Sequence, residues 1–308
     1  MSNAEKASET ERRFGFIAVL GAPNAGKSTL VNALVGAKVA ITSRKAQTTR
    51  MTVRGIAIEG GSQLVFVDTP GVFAPRRRLD RAMVDAAWSA AADADAVMLL
   101  VDAAKGLDAG VGAILDRLKA FAGLKALVLN KADYVGDKTR LLALAAEISA
   151  RLPFEAVFMV SALTGDGVAT LKAHLAELVP LGPWHFPEDE ISDAPLRLLA
   201  AEITREKIYE QLHDELPYAS TVETTSWEER KDGSARIEQT IYVERDSQKP
   251  IVLGAAGQTI KRISTESREE LSRLLEKPIH LFLFVKVREN WGSDPERYRA
   301  MGLEFPKE

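Results

Sequence analysis

The stretch GAPNAGKS, Gly21 to Ser28, carries the densest chemistry in the chain. It fits the pattern Gly-x-x-x-x-Gly-Lys-Ser/Thr, in which glycines let successive backbone N–H groups curl around phosphate oxygens. In that pattern Lys27 reaches the β- and γ-phosphates and Ser28 offers its hydroxyl to Mg²⁺. The next helix, KSTLVNALVG, turns its positive N-terminus toward the anion. Gly21, Ala22, Pro23, Asn24, Ala25, Gly26, Lys27, Ser28 and Thr29 are therefore assigned to a nucleoside triphosphate.

Further motifs come in order. DTPG places Asp68 where a carboxylate can hold the hydration shell of Mg²⁺, and Gly71 where a backbone N–H can meet the γ-phosphate. Thr69, Pro70 and Val72 are taken with them as nucleotide-facing. NKAD (Asn130, Lys131, Ala132, Asp133) selects the base. The Asp133 carboxylate can accept two hydrogen bonds from guanine N1–H and the 2-amino group; adenine has neither donor and would leave the acceptor unpaired. The stem of Lys131 is expected to cover the base, and Ser161 and Ala162, opening SAL, to direct backbone N–H groups at guanine O6. Gln47, Thr48, Thr49 and Arg50 form a QTTR loop in which Thr49 completes the Mg²⁺ shell, loosening after hydrolysis. As bare strings, DTPG and NKAD are equally surface turns, and QTTR is equally an exposed connecting loop.

The elements that must position these residues are legible from periodicity. Apolar runs at 16–20, 64–68, 97–102, 126–130 and 156–160 alternate with helical stretches such as 107–121 and 138–152. Runs so uniformly apolar are covered on both faces, the habit of a parallel sheet between helices. MTVRGIAI (51–58) is joined to the 64–68 run only by Glu59-Gly60-Gly61-Ser62-Gln63, too short for a parallel crossover. The expectation is an α/β fold: a mixed, mostly parallel sheet with helices on both faces and one antiparallel edge strand.

Pro183, Pro187 and Pro195, with Pro180 just before, mark an extended linker over 181–195 on which Trp184 and Phe186 can anchor. It divides a nucleotide domain over 14–180 from an α+β domain over 196–308, and MSNAEKASETERR (1–13) reads as a disordered tail. In the second domain a helix over 196–216 precedes a hairpin (220–230 and 235–245), a GAAG turn, a helix over 258–276 and a strand over 278–288. Gly254, Ala255, Ala256 and Gly257 make the turn, followed by Lys261 and Arg262. Alone, Gly-x-x-Gly is equally a plain loop between helices. Phe282 and Phe284 are expected to pack against a neighbouring domain or helix.

Composition sets bounds. The 308 residues allow two domains, the net charge of -3 confines any nucleic-acid footprint to a local patch, and the absence of cysteine excludes disulfides and thiolate metal sites. From Arg245 to Trp291 nine Lys/Arg face six Asp/Glu, an excess that a solvated helix face explains equally well. No apolar run approaches the ~18 residues that cross a bilayer, so a soluble, cytoplasmic protein is expected.

The ordered motifs resemble the translation-factor-related GTPases, and Asn24 matches the asparagine that potassium-type members use to hold K⁺ against the phosphates. Helix, two strands, helix, GAAG, helix, strand is the order of a type II KH domain. With SRKAQTTR, HFPEDEISD, LPYASTVE and VLGAAGQTIKRIS, the chain from about Phe14 to Phe305 resembles a bacterial family that joins the two. The resemblance implies a Mg²⁺-dependent, slow, K⁺-stimulated GTPase with Lys27, Asn24 and Gly71 as its catalytic groups. It implies a monomer that binds the 3′ end of 16S rRNA and acts on small (30S) subunit assembly. The KH turn Gly254–Gly257 would clamp RNA, Lys261 and Arg262 would meet its phosphates, and a fraction would lie peripheral to the inner membrane. Val72 stands where Ras-like proteins carry the water-orienting glutamine. Two alternatives stay open: a nucleotide-sensing RNA chaperone with negligible unaided turnover, and a membrane-associated signalling GTPase.

Overall fold

A computed structural model of the chain describes residues 11–306 apart from Ala46 and Asn290. The tail expected over 1–13 lies outside the described residues up to position 10, and Arg13 already opens the first strand. The chain divides into two compact units. The first runs through Asp193 and is joined by the segment from Tyr298 onward; the second is Ala194–Arg297.

Among the described residues of the first unit, β1 (Arg13–Gly21), β2 (Val53–Glu59), β3 (Ser62–Asp68), β4 (Ala96–Asp102), β5 (Leu124–Asn130) and β6 (Ala156–Met159) form one sheet. Its order is β2-β3-β1-β4-β5-β6, with β2 antiparallel to β3 at the edge and the other pairs parallel. The short Gly60-Gly61 link forces that one reversal.

Helices α1 (Lys27–Val35), α2 (Arg78–Ala92), α3 (Ala109–Leu118), α4 (Lys138–Arg151) and α5 (Val168–Leu178) complete the unit. Alternation along each strand serves two cores. Ile17 and Val19 join Leu30 of α1 and Leu171 of α5, whereas Ala18 and Leu20 join Ala87, Ile114 and Ile148 of α2, α3 and α4. The central strands are therefore covered on both faces, and Asp68, Asp102 and Asn130 close β3, β4 and β5 at their carboxyl ends, where open α/β sheets bind ligands.

The 181–193 segment lies along the sheet of this unit. Gln63, fully buried in β3, accepts from the His185 and Phe186 amides at 3.0 Å and donates to the Phe186 carbonyl at 2.8 Å. Trp184 Nε1 donates to the Gly61 carbonyl at 3.1 Å, with the Arg12 guanidinium 4.6 Å from its ring. Further on, Ser192 bridges Gly55 of β2, the Ile56 amide donates to the Ile191 carbonyl at 2.9 Å, and Arg54 pairs with Asp193 at 2.9 Å. The segment from Tyr298 also departs from expectation, which gave it to the second domain. Tyr298 and Leu303 are buried with Ala82 and Met83 of α2, and Phe305 packs beside them, so this stretch supplies apolar cover for that helix.

In the second unit α6 (Leu196–Gln211), β7 (Ser220–Glu229), β8 (Ala235–Val243), α7 (Lys249–Leu253), α8 (Gln258–Leu274) and β9 (Ile279–Val287) appear in chain order. The central β8 pairs antiparallel with β7 and parallel with β9. One face of the sheet buries Ile237, Ile241, Val243, Leu281 and Val285 against Ile203 and Ile208 of α6 and Ile263 and Leu271 of α8. Gln239, on the same face, is satisfied by the Thr204 hydroxyl at 2.6 Å. α6 stops short of the expected Leu216: Leu212 turns extended and Asp214 takes a φ of 54°. Phe282 and Phe284 alternate to the opposite face and are 44% and 47% exposed, contrary to the packed role expected for them. The Arg236 guanidinium lies 5.0 Å from the Phe282 ring.

Candidate functional site

The turn from β1 into α1 is built by backbone conformations that side chains resist. Asn24 and Gly26 take φ values of 63° and 97°. A Cβ on Gly26 would stand 2.3 Å from Asn130 Nδ2, and one on Gly21 2.4 Å from the Leu100 carbonyl oxygen, so both positions require glycine. Lys27 folds back into this turn, its ammonium donating to the Gly21 and Ala22 carbonyls at 3.2 and 3.1 Å. Burial lowers its pKa to about 8, against the attraction of Asp68, which raises it.

Beside it Ser28, Thr49 and Asp68 converge. The Ser28 hydroxyl donates to Asp68 Oδ2 at 2.6 Å and lies 2.9 Å from the Thr49 hydroxyl, which is itself 3.5 Å from the same oxygen. Burial raises the Asp68 pKa to about 6, with Ser28, Lys27 and Thr49 pulling it back down. The other oxygen, Oδ1, is buried without a hydrogen-bond partner. An orphaned carboxylate oxygen beside two hydroxyls suits a hard cation that takes oxygen ligands, so the residues expected to hold Mg²⁺ fit it.

The QTTR loop is not the exposed connector that its string allows: Thr48 and Arg50 are buried, and Thr48 donates to the Lys45 carbonyl at 2.9 Å. Gln47 and Thr29 line the same cleft as Lys27, with Ile41, Thr42 and Ser43. Asn24 Nδ2 donates to the Arg44 carbonyl at 3.0 Å and so ties the phosphate turn to this loop. In DTPG, Thr69 is fully buried with its hydroxyl on the Val19 carbonyl at 2.6 Å, and Pro70 is buried. Gly71 lies against Pro23, and the Val72 amide donates to the Gly21 carbonyl at 3.0 Å. Thr69 and Val72 thus fasten the segment to β1.

At the tip of β5, Asn130 donates to the Ala25 carbonyl and accepts from the Ala162 amide, both at 2.9 Å, joining three motifs through one side chain. Lys131, at a φ of 64°, sends its ammonium to the Asn24 carbonyl and to Asp102, both at 2.7 Å. Asp102 was missed by the sequence reading; its only signal was a carboxylate closing an apolar strand, as Asp68 does. Asp133 is exposed in the short turn that begins at Ala132, whose amide is held by the Val160 carbonyl at 3.0 Å. The amides expected to meet guanine O6 are engaged otherwise: Ser161 N–H donates to the Asp166 carbonyl at 3.0 Å and Ala162 N–H to Asn130. A base taking the Ala162 amide must share it with Asn130.

In the second unit the GAAG turn joins α7 to α8. Gly254, Ala256 and Gly257 have φ values of 74°, 50° and 75°. A Cβ on Gly254 would meet Thr259 Oγ1 at 2.1 Å, whereas Gly257 has open space. Ala255 and Ala256 are exposed, so the backbone can be approached closely. Lys261 is exposed. Arg262, also exposed, pairs with Glu266 at 2.9 Å, a surface ion pair that costs little to break.

Two family models match the chain, a 50S ribosome-binding GTPase over residues 16–131 and a KH domain over 215–292. Among curated relatives, GTPase Era of Bradyrhizobium sp. (strain BTAi1) is 65% identical over 97% of this chain and 96% of its own. GTPase Era of Bradyrhizobium sp. (strain ORS 278) is 62% identical over 100% of both chains. Two crystal structures match with a TM-score of 0.90, each covering 94% of this chain and 99% of its own. One is a point variant of Aquifex aeolicus Era bound to GDP and aluminium fluoride, 37% identical. The other is Era in complex with MgGDPNP and nucleotides 1506–1542 of 16S ribosomal RNA, 36% identical.

Proposed function

The chain belongs to the Era family of GTPases, and on that premise we propose that it is an assembly factor of the small ribosomal subunit. In this proposal it binds and hydrolyses GTP in the first unit and grips the 3′ end of 16S rRNA with the Gly254–Gly257 turn of its KH domain, promoting 30S maturation. The meeting of Ser28 and Thr49 at the half-satisfied Asp68 carries the nucleotide half. The open, small-residue turn supports the RNA half, as does the likeness to an Era solved with a 16S rRNA segment.

The chain's own groups divide the work. The Lys27 ammonium leaves the Gly21 and Ala22 carbonyls for the phosphates, whose negative charge favours its protonated form. Ser28, Thr49 and Asp68 would hold Mg²⁺, which supplies positive charge against the phosphate oxygens. Asp133 reads guanine, and Lys131, fixed by Asp102, lies against the base. The backbone N–H of Gly71 meets the γ-phosphate. Asn24 would hold K⁺ against the phosphates, where the ion would supply positive charge, and single-turnover hydrolysis is expected to be faster in K⁺ than in Na⁺ and to lose that difference in Asn24→Ala. Val72 is apolar and buried and cannot orient water, so unaided turnover is slow. The site's location is proposed as cytoplasmic, in a monomer with a peripheral inner-membrane fraction; among the described residues no helix is long and apolar enough to cross a membrane.

Val72 also favours a second reading, an RNA chaperone that senses nucleotide with negligible turnover. Hydrolysis measured with and without an oligonucleotide of the 16S rRNA 3′ end separates the two. Stimulation is expected; RNA binding without any change in hydrolysis would favour the chaperone.

A further inference from the structure

Asn32 lies on α1 outside the nucleotide cleft, and none of the motifs includes it. Its side-chain amide nevertheless makes three hydrogen bonds to two consecutive residues of the chain that leaves the helix. Oδ1 accepts from the Val39 and Ala40 amides, both at 2.9 Å, and Nδ2 donates to the Ala40 carbonyl at 2.8 Å. Its backbone carbonyl accepts from Gly36, whose φ of 81° ends the helix. One residue therefore closes both ends of the turn from Gly36 to Ala40.

That turn leads directly into the loop that reaches the phosphate site. Ile41, Thr42 and Ser43 line the cleft, the Arg44 carbonyl is held by Asn24, and Thr49 meets Ser28 and Asp68. The loop is thus pinned at its root by Asn32, at its middle by Asn24 and at its end by Thr49. The root pin involves neither the phosphate turn nor the cation ligands. Freeing it lengthens the segment that must be ordered before Thr49 can dock, which raises the entropy cost of the closed loop. The closed loop matters to the triphosphate state, since the γ-phosphate is what rewards it; a guanosine diphosphate is held by the turn Gly21–Ser28 and by Asn130–Asp133, none of which belongs to that loop.

We propose that Asn32 is a positioning residue that selects for the triphosphate by fixing the root of the 41–49 loop. The inference rests on the reading of Gly21–Ser28 as a phosphate loop. The test uses the full chain with Mg²⁺, fluorescent GDP and a fluorescent non-hydrolysable GTP analogue, and compares wild type with Asn32→Ala and Asn32→Asp. Asn32→Asp keeps an acceptor for both amides but replaces the donor to Ala40 with an oxygen that the Ala40 carbonyl repels. The expected result is GDP affinity within about threefold of wild type in both variants, with analogue affinity and single-turnover hydrolysis falling about tenfold or more in Asn32→Ala and less in Asn32→Asp. A parallel fall in both affinities would reduce Asn32 to a merely structural role, and unchanged analogue affinity would remove any role; either overturns the proposal. If Asn32→Ala does not fold, Asn32→Asp alone carries the comparison. Failure of wild type to bind either nucleotide, or binding by Lys27→Ala as tight as wild type, would instead overturn the phosphate-loop reading beneath it.

Discussion

Lys27 and Asp68 are held, both buried, at pKa values displaced toward neutrality, and this makes the nucleotide-free protein least stable near pH 7 as far as these two groups are concerned. Asp68 is raised from 3.8 to about 6. Its contribution to stability is fully present below 3.8 and is lost as pH rises through 6. Lowering the pH from about 7.5 to about 5 should therefore restore on the order of 1 kcal/mol. Lys27 is lowered from 10.5 to about 8, so its contribution is present above 10.5 and lost as pH falls through 8. Raising the pH from about 7.5 to about 9 should restore on the order of 1 kcal/mol. The assay is urea unfolding of the nucleotide-free protein at the three pH values, beside the Lys27→Met, Asp68→Asn double variant, so that other titrating groups cancel. The transition to track is the one that added GDP moves in wild type, which identifies the first unit. Wild-type stability minus variant stability should be lowest at about pH 7.5 and rise on both sides. A flat difference, or one that peaks near neutrality, would refute the claim that burial dominates these two groups.

Other consequences are open to direct measurement. Asp102→Ala should release the Lys131 ammonium and weaken GDP binding about tenfold by calorimetry; unchanged affinity would mean that Asp102 does not position Lys131. Asp133→Asn should move nucleotide preference from guanosine toward xanthosine, read by competition between the two diphosphates. Gly254→Ala brings a Cβ to 2.1 Å from Thr259 Oγ1 and should destabilise the second unit, whereas Gly257→Ala meets open space and should cost only about 1 kcal/mol of left-handed backbone strain. Thermal melts of the two variants check the order, and equal losses would count against it.

The sheet was legible because its central strands are nearly uniform apolar runs and the link between β2 and β3 is too short for anything but an antiparallel pair. The phosphate and base motifs were legible because their residue types recur at fixed spacing before or after such strands. The pinning between them escaped. Asn32 in KSTLVNALV reads as a polar residue on an amphipathic helix, and nothing nearby in sequence reveals that its partners are the amides of Val39 and Ala40. Asp102 reads as a strand end. The role given to Phe282 and Phe284 failed because alternation with Leu281 and Leu283 already sends them away from the core, and an apolar type was allowed to outweigh that phase. The 298–305 stretch is too short for any period to show that its Tyr298 and Leu303 belong beside Ala82 and Met83.

The chain between Leu181 and Asp193 has a further consequence through its pairing with Gly55 and Ile56. A sheet border left bare offers a row of unsatisfied amides and carbonyls to any passing polypeptide, and proteins guard such borders because they seed aggregation. Here the guard is the tether itself. A truncation ending near Pro180 would strip it away and invite self-association, so the shortest soluble fragment with an intact GTP site should extend through Asp193.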